Sequence, residues 1–141
     1  MSTYVAGTRP DLIKGLIALY PAYVLQDNAW RDTPDPENIP ETMAFKGTTI
    51  GRIYNADAMS FDIYEVMKDY PGDVLIIHGT SDNSVPISYS ERAITVFSSA
   101  ELVRFEGAGH GFYGDDEVRA AQIAVDFVKE HLINQDAQAY H

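Results

Sequence analysis

Two hydrophobic rhythms alternate along this chain: short apolar runs, and longer spans in which apolar residues recur every three to four positions. Leu12–Tyr20 is a run of the first kind, closed by Pro21. A stretch that short, apolar on both faces, predicts a parallel strand covered on both sides. The residues before it, 1–9, predict the tail of a helix that stops at Pro10, because proline disfavours helical backbone in its predecessor. Val74–His78, rich in aliphatic and β-branched residues, predicts a second strand, and Leu102–Phe105 a third. Between these two, Ile87, Tyr89, Ala93, Ile94 and Phe97 predict a helix opening after Pro86. The clearest helix is Asp115–Ile133, where Val118, Ala121, Ala124, Val125, Val128 and Leu132 fall at amphipathic spacing. Asp115, Asp116 and Glu117 stand at its N-terminus, where the helix dipole favours negative charge. The polar tail 134–141 reads as frayed.

Residues 22–72 have neither rhythm. With the bordering Pro21 and Pro71, this stretch holds five of the seven prolines. Asp32–Pro40 reads as an extended loop, and Phe61–Tyr70 as a short helix with Phe61, Tyr64, Val66 and Met67 partly inward. An irregular connection of that length between two strands is more often a functional lid than a linker. The order strand, long insert, strand, helix, strand, helix predicts an α/β fold: a parallel sheet of about three strands, joined by right-handed crossovers and flanked by helices. One domain spans 1–141, with 23–72 as a lid inserted within it.

Composition narrows the partners. A formal net charge of −11 argues against nucleic acid, whose phosphates demand clustered Lys and Arg, and against anionic membrane surfaces. There are no cysteines, so disulfides and thiolate metal sites are excluded. No apolar run approaches the ~20 residues of a membrane-spanning helix. The first ten residues resemble neither a secretory signal nor a transit peptide, which makes a cytoplasmic location the expectation. Asp32, Asp35, Glu37 and Glu41 lack the alternating pattern of a calcium loop and read as solvated surface. No histidine paired with a carboxylate has metal-ligand spacing, and neither a metal nor a cofactor is expected.

Candidate chemistry lies just past the ends of two strands. Asp82 sits in the turn Gly79-Thr80-Ser81-Asp82-Asn83-Ser84-Val85-Pro86, and His110 in the loop Gly107-Ala108-Gly109-His110-Gly111. A carboxylate there suits the orienting member, and an imidazole the proton-transfer member, of a nucleophile–His–acid triad. Asp82 also fits a turn or helix-capping role, and His110 an ordinary loop. No Gly-x-Ser-x-Gly occurs. Ser2, Ser60, Ser81, Ser84, Ser98 and Ser99 all lack the context that exposes a nucleophile. His78, inside a strand, reads as packed and hydrogen-bonded; His131 reads as exposed on the last helix, and His141 lies in the tail.

The chain resembles the C-terminal half of an α/β-hydrolase, and among these the feruloyl (cinnamoyl) esterase-like serine hydrolases. The matching segments are Pro10–Ala22, Asp35-Pro36-Glu37-Asn38-Ile39-Pro40, the acid segment ending Asp82-x-x-Val85-Pro86, and Gly109-His110-Gly111; together they cover about residues 1–133. The resemblance implies a partial α/β-hydrolase fold, with Asp82 as triad acid, His110 as triad base and 23–72 as the lid over an acyl pocket. It also implies a nucleophile motif immediately before Met1, with residues 1–7 continuing the helix that follows it. On that expectation the sequence is a truncated frame or a fragment, lacking the nucleophile, the oxyanion hole and the first strands. The strand around Leu16–Tyr20 would then be an open edge, available to a second copy or to a complementing N-terminal half. The expected function is carboxylic ester hydrolysis, with Tyr23, Trp30, Phe45, Tyr54 and Phe61 forming an aromatic pocket for a small-molecule ester with a phenolic acyl group, unless they are plain packing. The alternative is a non-catalytic module that homodimerises through its sheet edge.

Overall fold

The computed structural model describes residues 2–133. Its centre is a three-stranded parallel sheet of β1 (Gly15–Leu19), β4 (Asp73–Gly79) and β5 (Ser99–Phe105), in the order β1-β4-β5. The register pairs Leu16 with Val74 and Ile76 with Leu102. Helix α1 (Ser2–Thr8) precedes the sheet and ends before Pro10 as expected, although Pro10–Leu12 is a 3₁₀ turn and the strand begins only at Gly15. Helices α5 (Ser88–Val96) and α6 (Asp115–Phe127) follow β4 and β5, and α6 runs on into a π-helical turn at Val128–Ile133. The tail 134–141, with His141, lies outside the described residues.

Residue parity along β4 sorts the core into two layers. Val74 and Ile76 join Leu16, Ala18, Tyr64, Met67, Tyr70, Ala93 and Phe97, beneath α4 (Ile63–Met67) and α5. Leu75 and Ile77 join Phe105, Phe112, Ala120 and Phe127 beneath α6. Every side chain from Val74 to His78 is at most 1% exposed, as befits a central strand with helices on both faces. Each fully buried aliphatic side chain of this kind contributes about 1.5–3 kcal/mol.

Three sequence expectations are corrected here. The insert is not irregular. It contains α2 (Leu25–Asp32), the hairpin β2 (Thr42–Phe45) and β3 (Thr48–Gly51), α3 (Arg52–Met59) and α4, and the expected loop at Asp32–Pro40 includes a 3₁₀ turn over Pro36–Asn38. The hairpin turns on Lys46 and Gly47, both with positive φ (46° and 80°), the conformation a tight two-residue turn requires. Its strands are short and little buried, so they leave only a faint alternation in the sequence.

The second correction concerns α6. Its buried face is Ala120, Ile123 and Phe127, whereas Val118 is 70% and Val125 46% exposed and Ala121 is exposed as well. Two apolar rows share the helical period, and the row carrying the larger side chains, Ile123 and Phe127, turns inward. His131 is also half-buried rather than exposed: it stacks on Phe127 at 4.6 Å, and its Nδ1 lies 3.3 Å from Asp73.

Among the described residues, β1 bonds to β4 alone and no helix is long and apolar enough to cross a membrane. The layer assignment predicts that Ile76→Ala costs about 2–5 kcal/mol in urea unfolding, while Val118→Ser stays within about 0.5 kcal/mol.

Candidate active site

The carboxyl ends of all three sheet strands converge, which is where open parallel sheets place their ligands. The loop leaving β4 and the loop leaving β5 are stitched together by backbone bonds. Thr80 N–H donates to the Phe105 carbonyl (3.0 Å) and Ser81 N–H to the Ala108 carbonyl (2.9 Å). Gly107 N–H returns a bond to the Thr80 hydroxyl at 2.9 Å. Gly79 makes this approach possible, because a Cβ there would run into the backbone of Ala108 and Gly109.

That stitching delivers the two candidate side chains to each other: His110 Nδ1 lies 2.8 Å from Asp82 Oδ2. The Asp82 side chain is fully buried and the His110 side chain is 41% exposed. Asp82 keeps its turn role at the same time, since its Oδ1 accepts the N–H groups of Ser84 (2.9 Å) and Val85 (2.8 Å). Its Oδ2 has a second neighbour, His78 Nε2, at 3.1 Å. Burial pushes the Asp82 pKa up, but hydrogen bonds from the Val85 N–H, His110 and the Ser84 N–H outweigh it, leaving the carboxyl below its ordinary value. The group is therefore ionised at neutral pH and acts as an acceptor. His110 accordingly donates through Nδ1, which leaves Nε2 as the basic nitrogen of a partly exposed ring.

His110 is backed by an aromatic cluster. Tyr20 meets it edge-on at 5.0 Å and meets Phe112 at 5.2 Å; Phe112 packs on Phe105 at 4.6 Å. Tyr20 terminates β1 in the left-handed region, with φ 38°, an uncommon conformation for a residue with a Cβ and one found at functional sites. Neither Tyr20 nor the second contact of Asp82 stands out in the sequence. The available signals were a tyrosine just before Pro21 and a histidine four residues before the acid.

The five candidate pocket aromatics do not form one pocket. Tyr23 is core: its hydroxyl bonds Thr3 at 3.0 Å, its ring packs near Tyr64, and burial pushes its pKa up to about 12. Phe61 packs on Tyr4 at 4.7 Å, and Trp30 is 42% exposed. Only Phe45 and Tyr54 come together, at 5.6 Å, on the wall of a cavity of about 170 Å³ between α2, the hairpin and α3. Buried Asn55 also lines it, donating to Thr33 Oγ1 at 3.0 Å. Among the described residues no cluster of three His, Asp or Glu is arranged to hold a metal, and no serine hydroxyl hydrogen-bonds His110.

A family model described as the prolyl oligopeptidase family matches residues 1–135. Among solved structures, Est1E from Butyrivibrio proteoclasticus, with ferulic acid bound, is similar with a TM-score of 0.80 and 26% identity over 94% of this chain and 55% of that one. A structure of the metagenome-derived lipolytic enzymes LipS and LipT has a TM-score of 0.71 at 14% identity, over 92% of this chain and 60% of that one. The monoacylglycerol lipase of Paleococcus ferrophilus has a TM-score of 0.64 at 21% identity, over 91% of this chain and 63% of that one. The chain thus spans 55% of the length of Est1E. No curated protein matches it.

The depressed pKa of Asp82 gives a signed pH dependence. A carboxyl that is more acidic folded than unfolded stabilises the fold above its unfolded value of about 3.9, and that stability is lost as pH falls through the folded value. Asp82→Ala is expected to cost about 3 kcal/mol at neutral pH, because it leaves buried N–H donors unpaired. Chemical denaturation from about pH 6 downward should show the gap between wild type and variant narrowing in acid. A constant gap would contradict the assignment.

Proposed function

For this chain, which belongs to the prolyl oligopeptidase family and has the α/β-hydrolase fold, we propose that Asp82 and His110 are the acid and base of a carboxylic-ester hydrolase site. The supporting observation is the 2.8 Å contact between His110 Nδ1 and a wholly buried, ionised Asp82, with the imidazole itself open to solvent. In the proposed reaction His110 Nε2 takes the proton of a serine hydroxyl supplied from outside this sequence. The serine oxygen attacks the ester carbonyl, and the imidazolium formed is stabilised by the neighbouring carboxylate. His110 then passes that proton to the departing alcohol. Water, deprotonated in turn by His110, attacks the acyl-serine carbonyl, and His110 returns the proton to the departing serine oxygen as the acid is released.

An aromatic acyl group is the proposed substrate class. It rests on the ferulic acid bound by Est1E and on the Phe45–Tyr54 wall of the insert cavity. Residues 23–72 are proposed as the lid within a single domain.

The chain alone is expected to give negligible turnover of p-nitrophenyl acetate, because among the described residues no serine hydroxyl hydrogen-bonds His110. Mixed with a separate polypeptide carrying the Gly-x-Ser-x-Gly segment of a relative, it should hydrolyse the ester, and His110→Ala should cut that rate by up to about 10⁶-fold. A mixture indifferent to His110 would overturn the reading. So would turnover by the chain alone that survives His110→Ala.

A second reading, a non-catalytic module that homodimerises, is favoured by one feature: the edge position of β1, where Leu19 is 42% exposed. The same edge would accept a strand from a complementing segment. Sedimentation should detect a dimer at micromolar concentration that Leu19→Lys converts to monomer, since a charge on an open edge opposes strand addition. A wild-type monomer across that range would remove this reading.

A further inference from the structure

We propose that His78 is a positioning residue for the Asp82–His110 couple, donating its Nε2–H to Asp82 Oδ2 and so fixing the oxygen that His110 uses. The inference rests on the reading of Asp82 and His110 as the acid and base of the site. It adds a second histidine, which touches the acid and not the reacting atoms.

The geometry places a hydrogen on Nε2. His78 Nε2 lies 3.1 Å from Asp82 Oδ2 and 3.0 Å from the Val85 carbonyl oxygen. Both neighbours are acceptors, so Nε2 carries a hydrogen shared between them. On the other side of the ring, Nδ1 lies 2.7 Å from Ser90 Oγ. The Ser90 hydroxyl, which can donate or accept, satisfies Nδ1, so every ring nitrogen has a partner. Both His78 and Ser90 are 0% exposed, so water does not compete for these bonds.

The chain enforces this placement. Val74, Ile76 and His78 alternate onto the face of β4 covered by α5, which brings Ser90 over the imidazole. Four residues after His78 the chain has turned, and Asp82 folds back to the same ring. A carboxylate held through one oxygen alone keeps a soft torsion about its last bond. Here Oδ1 is held by the turn, through Ser84 and Val85, and Oδ2 by a ring rooted in the central strand. His110 cannot supply that anchor, because its side chain is 41% exposed and it rides on a glycine-rich loop.

The test compares His78→Phe, which keeps a ring and removes the donor, with His78→Gln, whose amide nitrogen reaches about as far as imidazole Nε2. The readouts are urea unfolding and the imidazole N–H resonances of the whole chain by NMR. The wild type should show a slowly exchanging His110 Nδ1–H signal that Asp82→Asn abolishes. If that signal is absent, or survives Asp82→Asn, the underlying acid–base reading falls, and this proposal with it. Given the signal, both His78 variants should lose stability, but only His78→Phe should lose the His110 resonance, and His78→Gln should retain it. A folded His78→Phe protein with the His110 signal intact would show His78 to be plain packing and would overturn the proposal. Should His78→Phe not fold, Ser90→Ala tests the same point with the ring in place. It should change the His78 Nδ1 shift and weaken the His110 signal; an unchanged His110 signal there would equally overturn the proposal.

Discussion

Everything at the candidate site depends on one buried carboxylate. Asp82 has no solvent contact through its side chain, and its four neighbouring donors come from three parts of the chain: the turn at Ser84 and Val85, the strand at His78, and the loop at His110. Burial alone would drive such a group to take up a proton. The donors reverse that tendency and keep it an anion, which is the state in which it can orient and stabilise an imidazolium. The same bonds tie the end of β4 to the loop after β5, so the charge and the local fold support one another.

The sheet converts this local constraint into a site. Parallel strands with helices on both faces bring all their carboxyl ends to one rim, so Tyr20, Asp82 and His110 meet although the sequence separates them widely. Gly79 and the bonds made by Thr80, Ser81 and Gly107 then fix the two loops against each other. The strained turn at Tyr20 adds an aromatic edge to the ring of His110, and Phe112 and Phe105 back that edge in turn. His110 is left as the exposed member of an otherwise buried group, which suits a residue that must exchange protons with something outside.

The insert follows a different logic. Its last helix, α4, belongs to the core through Tyr64 and Met67, whereas α2, the hairpin and α3 form a smaller assembly around Asn55 and Thr33. Two of its aromatics face a shared cavity and two others are spent on packing against α1 and α4, with Tyr23 reaching Thr3 and Phe61 reaching Tyr4. A composition rich in aromatics therefore served two separate ends within one segment.

The sequence by itself determined the three parallel strands, the helices after Pro86 and from Asp115, and the placement of Asp82 and His110 just past strand ends. Each of these is written locally, in unbroken aliphatic runs, in helical periods and in turn residues just past strand ends. Only the tertiary structure decided which apolar row of α6 turned inward, because two rows fit the period and the sheet selected Ile123 and Phe127. The hairpin at Thr42–Gly51 was likewise decided there, since short exposed strands leave almost no alternation to read. The partners of His78 belong with them: that the ring meets Ser90 and Asp82 follows from how α5 lies across β4, a contact between distant elements that no local pattern encodes.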